Sequence, residues 1–438
     1  MQNRQENNKF YRKMNKKISK ILFPLGELYS STSIQEKLKF LQKSQFWSKE
    51  EIENYQNKRL RDLIEHAYKN VPYYKKIFDE LKLTPLDIQT KKDLKKLPLL
   101  TKKIIIDNFE DLRAENLKNK SYIRKTSGST GQPMKFYSTR EDYSWIWACE
   151  FRNWARVGYA LGDQYVKVSL NNDRWKLSKK IQDMIMGCHY IYTLGISEQN
   201  VGNYVKEILK IKPKYVYGYS SSLNIIAQYM QKNNIHYQAQ GVITTGDKLT
   251  AQYRKTMEEV FKSRVIDIYG CGGEGLNIAA QCTQGHYHIN DELLIVEDVK
   301  GDIVVTSLNN YAMPLIRYTP GDLITLGKAK CPINLSVLGS IDGRSKDVVI
   351  TPKGNLVVHF FTILFEHMEG VKQFKIIQEK NNEIIIELIK NEKFKDEKKI
   401  ISSIKEVAGD KFNVKIAYVP EIFPEKNGKM KIIDNRMK

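Results

Sequence analysis

Four short apolar runs, QYVKVSL, KYVYGY, GVITTG and RVIDIYG, fall between residues 164 and 270 and alternate with helical patterns such as NVGNYVKEILK and SSLNIIAQYMQKN. Strand runs separated by amphipathic segments do not join through tight hairpins, and they predict a mixed or parallel α/β sheet. Upstream, KRLRDLIEHAYKNVPYYKKIFDEL places Leu60, Leu63, Ile64, Ala67 and Tyr68 at helical spacing and is broken by Pro72, which predicts two helices. Beyond Gly343 the character changes. QFKIIQEK and EIIIELIK flank Asn381 and Asn382 as a hairpin, DEKKIISSIKEVAG has helical periodicity and FNVKIAYV reads as a closing strand. The expected organisation is therefore a basic, helical extension over 1–54, a large mixed α/β domain over 55–345 and a small α+β domain over 346–438.

A chain of 438 residues with 41% hydrophobic residues buries a sizeable core. Cys149, Cys188, Cys271, Cys282 and Cys331 are odd in number and scattered, and no secretory leader precedes them, so a disulfide framework is not expected and the cytoplasm is. The net charge of +21 is carried by lysines spread through every region, with no cluster of base-stacking aromatics beside them; nucleic acid is not the expected partner. The densest basic stretch is Arg4 to Lys20, ahead of the apolar run ILFPLGELY. That run is shorter than the roughly 20 residues needed to span a bilayer, leaving a solvated terminus or a peripheral contact with a membrane surface as its alternatives.

The stretch TSGSTG, Thr126 to Gly131, joins glycines able to bring backbone close to a ligand with three hydroxyls, the chemistry of an anion cradle. It is not a P-loop, because Gly131 is followed by Gln132 and Pro133 rather than Lys and Ser or Thr. GCGGEG after RVIDIY has its glycines in the wrong phase for a dinucleotide fingerprint. What gives TSGSTG meaning is its order with TTGDKL at 244–249, IYGCGGEG at 268–275, PLIRYTPGDL at 314–323, GRSKD at 343–347 and PEKNGKMKIIDNR at 424–436.

In these motifs the chain resembles the adenylate-forming superfamily, and within it the phenylacetate-CoA ligase and CapK-like capsular polysaccharide branch, over roughly residues 55 to 438. The resemblance implies a large N-terminal domain and a small mobile C-terminal domain jointed near Lys346. It implies attack of a carboxylate on ATP, loss of pyrophosphate and transfer of the acyl group to CoA or another thiol or amine supplied in trans. By position, Ser127, Gly128, Ser129, Thr130 and Gly131 hold phosphate, Gly246 and Asp247 belong to the adenine-contacting turn and Tyr269 offers adenine a flat face. Asp322 takes the ribose hydroxyls with Arg344 beside it, Glu274 holds Mg2+ and Lys429 is the catalytic lysine. Glu274 lies five positions after Tyr269, where the family usually places its acid four after.

QCTQGHYHIN and AKCPIN supply Cys282, His286, His288 and Cys331, ligand types suited to Zn2+. The branch often carries a second cysteine where Ile333 stands, so the alternative is a lost site of ordinary buried cysteines. For the acid substrate, Trp154, Asn171, Asn172 and Tyr217 to Ser222 are candidate lining, and SLNNDRW leans toward a polar carboxylate. The expected activity is carboxylate activation in surface-polysaccharide synthesis; an aryl-acid CoA ligase and a silent scaffold are the alternatives.

Overall fold

The structure, a computed structural model, describes residues 16–125, 134–169, 177–193, 196, 200–344, 348–357, 360–361, 364–365, 368–423 and 431–437. Strands β1 (Tyr122–Lys125) and β2 (Lys135–Ser138) form an antiparallel hairpin. The apolar runs become β3 (Tyr165–Ser169), β5 (Tyr215–Tyr219), β6 (Gly241–Thr245) and β7 (Val265–Cys271); with β4 (Cys188–Tyr192) they lie parallel in the order β4-β3-β5-β6-β7. The sheet then continues antiparallel through β8 (Leu276–Gln281), β9 (Tyr287–Ile289), β13 (Val337–Arg344), β12 (Asp322–Gly327), β11 (Asp302–Ser307) and β10 (Leu294–Val299), giving 11 strands.

The parallel half is buried on both faces, as its near-continuous apolar runs require. Val166, Val168, Val216, Val242 and Val265 face one core with the helices Val201–Ile211, Ser220–Lys232 and Ala251–Phe261. The alternate residues Tyr165, Tyr215, Tyr217, Ile243 and Ile266 face a second core beneath the helix Arg140–Trp154. That helix starts where it does because Thr139 and Asp142 form a reciprocal cap, the Asp142 carboxylate accepting from the Thr139 backbone N–H at 2.5 Å.

Residues of the 1–54 segment share this second core. Leu41 is fully buried in it, and Phe23, within the helix Lys16–Ser30, packs edge-on against Phe151 at 6.3 Å. The apolar run that reads as a terminal arm is thus a packed helix, and burying Phe23 contributes about 1.5–3 kcal/mol toward holding it despite Pro24. Pro72 divides the helices Lys49–Asn70 and Pro72–Glu80, its missing N–H falling harmlessly at the first position of the second.

Residues beyond 347 have their own sheets and core. β14 (Val348–Thr351) pairs with β15 (Gly354–Val357). β16 (Val371–Lys380), β17 (Glu383–Lys390), β18 (Asn413–Tyr418) and β19 (Ile433–Asn435) form a four-stranded sheet in the order β18-β17-β16-β19. The helix Glu397–Ala408 packs Ile400 and Ile404 against Ile384, Ile386 and Leu388.

Candidate active site

The parallel strands end together at one edge, and in such sheets ligands bind outside the carboxyl ends of the strands. β6 runs out into Gly246 and Asp247. Gly246 has φ +85°, and a Cβ there would come within 2.3 Å of the Tyr219 ring, so only glycine lets this turn lie flat on that tyrosine. The Asp247 carboxylate accepts from the Ser221 backbone N–H at 3.2 and 3.3 Å, at the positive start of the helix Ser220–Lys232. Asp247 therefore holds the turn in place. Lys248 ties the same turn to β13 by donating to the Ile341 carbonyl at 3.2 Å.

Across the edge, two carboxylates are held by two tyrosines in a reciprocal exchange between segments. The Tyr269 hydroxyl, at the end of β7, donates to Asp322 Oδ2 at 2.7 Å, at the start of β12. The Tyr318 hydroxyl, just before β12, donates back to Glu274 Oε1 at 3.2 Å, in the turn after β7. Burial first, and then the neighbouring carboxylate, holds both phenols above their ordinary range, so both are donors. Tyr318 is placed by Arg317, a buried non-glycine residue at φ +53°. The Arg317 guanidinium donates to Glu297 at 3.0 and 3.1 Å and to the Leu97 carbonyl at 2.7 Å, partners that fix this unfavourable backbone.

Arg344 lies directly opposite Asp322 in the β12–β13 pairing, so those two positions adjoin through the backbone. Arg124, on β1, donates to the Gly272 carbonyl at 2.7 Å, in the turn that carries Glu274. The end of β1 is therefore held beside the turn that carries Glu274, and residues 126–133 are the connection from β1 to β2 in the sequence. Ser127, Gly128, Ser129, Thr130 and Gly131 within that connection lie outside the described residues, as do Asn171, Asn172, Lys346 and Lys429.

The family described as "CapK C-terminal domain" matches residues 349–436. Protein CapK of Staphylococcus aureus is 24% identical over 410 residues, covering 87% of this chain and 89% of its own length. The phenylacetate-coenzyme A ligase of Escherichia coli (strain K12) is 25% identical over 376 residues, covering 75% of this chain and 80% of its own. The solved structure of 2-hydroxyisobutyryl-CoA ligase in the postadenylation state superposes with a TM-score of 0.73 at 16% identity, covering 89% of this chain and 91% of that one. The chain is thus similar in sequence to CapK and the phenylacetate-coenzyme A ligases and shares the fold of the solved CoA ligase. Its large mixed sheet followed by a separate small α+β sheet is the fold it shares with that solved structure.

A second cluster is formed by cysteines and histidines. The β8–β9 turn, closed by Gly285 at φ +87°, brings Cys282 and His286 together, with Sγ and Nδ1 3.8 Å apart. His288 on β9 reaches Cys331, with Nε2 2.9 Å from Sγ, and its Nδ1 donates to the Leu335 carbonyl at 3.3 Å. The four ligand atoms lie within 4.8 Å of one another. Ligand residue type named these four, but only the β9–β13 pairing brings Cys331 to the other three.

Two residues at the candidate site were missed from sequence. Tyr318 stands inside the quoted motif PLIRYTPGDL and its place there was the signal available; Arg124 had no local signal, because its partner is a backbone carbonyl 148 residues away.

Proposed function

We propose that this ligase activates a carboxylic acid with ATP as an acyl-adenylate and passes the acyl group to CoA or another thiol or amine acceptor, in surface-polysaccharide synthesis. The observation that carries the chemistry is the exchange Tyr269–Asp322 and Tyr318–Glu274 at the carboxyl edge of the parallel strands. Asp322, oriented by Tyr269, is a fixed acceptor suited to paired ribose hydroxyls. Glu274, one oxygen engaged by Tyr318, suits a hard cation such as Mg2+ on the phosphates. The phosphate role of Ser127 to Gly131 and the nucleotide role of Arg344 rest on their place in the motif order. Lys429 would neutralise charge between carboxylate and α-phosphate, brought in by a small domain that turns at a joint near Lys346. The polysaccharide setting rests on the resemblance to CapK. The phenylacetate-CoA ligase relatives support an aryl-acid CoA ligase as the second reading.

The Cys282, His286, His288 and Cys331 cluster supports Zn2+ as a structural ion. Two thiols and two imidazoles converge there, with the His288 Nδ1–H anchored on a carbonyl so that Nε2 is turned to the cluster. Such an ion would fasten the β8–β9 turn to the loop before β13.

No described helix is long and apolar enough to cross a membrane. The exposed Leu25, Leu28 and Tyr29 on the helix Lys16–Ser30 support peripheral contact of a cytoplasmic enzyme with a membrane surface. The deciding experiment for the activity is ATP–pyrophosphate exchange over a panel of carboxylates, with and without Mg2+. Exchange dependent on one acid establishes adenylation, and no exchange with any of them removes it.

A further inference from the structure

A cleft of about 520 Å³ opens where β7 begins, at the opposite end of the parallel strands from the nucleotide edge. Val265 in its wall stands four residues before Tyr269, so about 13 Å of strand separates the two places. The walls are the helix Ala251–Phe261, through Arg254 and Glu258, the stretch 262–266 and the β8–β9 turn. Arg254 braces them. Its guanidinium donates to the Val265 carbonyl, where β7 starts, and to the Gln281 side chain, where β8 ends. Glu258 accepts from the Val265 backbone N–H at 3.2 Å and lies 3.7 Å from Arg254, so it offsets that one charge. Lys262 and Arg264 are exposed, and neither side chain has an ion-pair partner among the described residues. Between them in the chain, the Ser263 hydroxyl is buried with no hydrogen-bond partner there, although buried polar groups are almost always paired.

Two uncompensated cations flanking a hydroxyl in want of a partner suit a phosphate dianion, whose oxygens accept from all three. The volume falls within the roughly 300–1,000 Å³ of small-molecule sites, so the ligand is larger than the bare ion. No described aromatic side chain lines the cleft to stack on a nucleobase, and the remaining polar groups, Thr283 and the Glu258 carboxylate, pair with hydroxyls. We infer that this cleft is a second ligand site, separate from the nucleotide edge and independent of the adenylation reading, and that it takes a phosphorylated polyol of the sugar-phosphate class.

The test is calorimetry on the full chain at physiological salt, with ATP present throughout to occupy the nucleotide edge. The probes are glucose 1-phosphate, glucose 6-phosphate, ribose 5-phosphate and glycerol 3-phosphate, against glucose, inorganic phosphate and AMP. A parallel sedimentation arm uses phosphatidylcholine vesicles with and without phosphatidic acid, because a lipid headgroup shares the phosphate chemistry. At least one of the four phosphate esters should saturate one site per chain and bind at least about tenfold more tightly than inorganic phosphate, with no binding of glucose. Lys262→Ala, Arg264→Ala and Ser263→Ala should each weaken that ester at least about fivefold, while the melting temperature stays near that of the wild type and shows each variant folded. No saturable binding of any of the four, inorganic phosphate or AMP bound as tightly, or an affinity that the three variants leave unchanged would overturn the inference. Sedimentation with phosphatidic acid vesicles in place of soluble binding would overturn it as well and assign the cleft to a lipid surface.

Discussion

The Tyr269 hydroxyl donates to the Asp322 carboxylate across 2.7 Å, joining residues 53 positions apart in the chain. Through it the end of the last parallel strand fixes the direction of an acid on the antiparallel half of the sheet. Tyr269→Phe should weaken ATP binding by about 1 kcal/mol, the worth of one hydrogen bond, and Asp322→Ala by about 1.5 to 3 kcal/mol, because a charged acceptor is lost. Calorimetry showing both variants at wild-type affinity would take the pair out of the nucleotide site.

Tyr318→Phe removes the donor that orients Glu274 without touching the carboxylate itself. The Mg2+ concentration giving half-maximal exchange should rise several-fold, while metal-free ATP affinity stays level. A shift in metal-free affinity alone would assign Tyr318 to the nucleotide rather than to the cation.

Purified without chelators, the protein should carry close to one equivalent of zinc by elemental analysis. Cys331→Ser should lose the ion and lower the melting temperature, since the loop before β13 would no longer be fastened to the β8–β9 turn. Trace metal in the wild type would mean that the four side chains pack as a metal-free cluster.

Lys429→Ala separates the half-reactions. Adenylation should slow by orders of magnitude, because a preorganised cation contributes about 3 to 4 kcal/mol to such a transition state. ATP binding and transfer from a supplied acyl-adenylate should be nearly intact. Equal loss in both half-reactions would rule out alternation of the small domain.

Stability should depend on Asp267. It accepts from Thr244 at 2.5 Å and Tyr287 at 2.6 Å, yet desolvation pushes its carboxyl up to about 7. The folded protein thus retains a proton that the unfolded chain releases near pH 4, so this contribution is complete at low pH and is lost as the pH rises through 7. Denaturant titrations of Asp267→Asn at pH 5 and pH 8 should differ less than those of the wild type. An unchanged difference would show that Asp267 titrates normally.

Local periodicity placed β3, β5, β6 and β7, the helices divided by Pro72 and the β16–β17 hairpin, because period and turn residues are properties of neighbours in the chain. β4 escaped it. CHYIY is five residues long and half-exposed, too short and too mixed to signal a strand before β3 pairs with it. Motif order named Asp322 and Glu274, and ligand residue type named the cysteine-histidine set, since both are properties of the sequence wherever the chain goes. What the sequence could not hold was who meets whom. Asp247 reads as part of a ligand-contacting turn, and only the fold shows it also accepting from the start of the helix Ser220–Lys232; Phe23 reads as part of a terminal arm but seals the core against Phe151. Tyr318 finds Glu274 across 44 residues and Cys331 finds His288 across 43. These contacts exist only once the antiparallel half of the sheet has closed on the parallel half, because pairing distant segments costs chain entropy that no local pattern encodes and only the assembled core offsets.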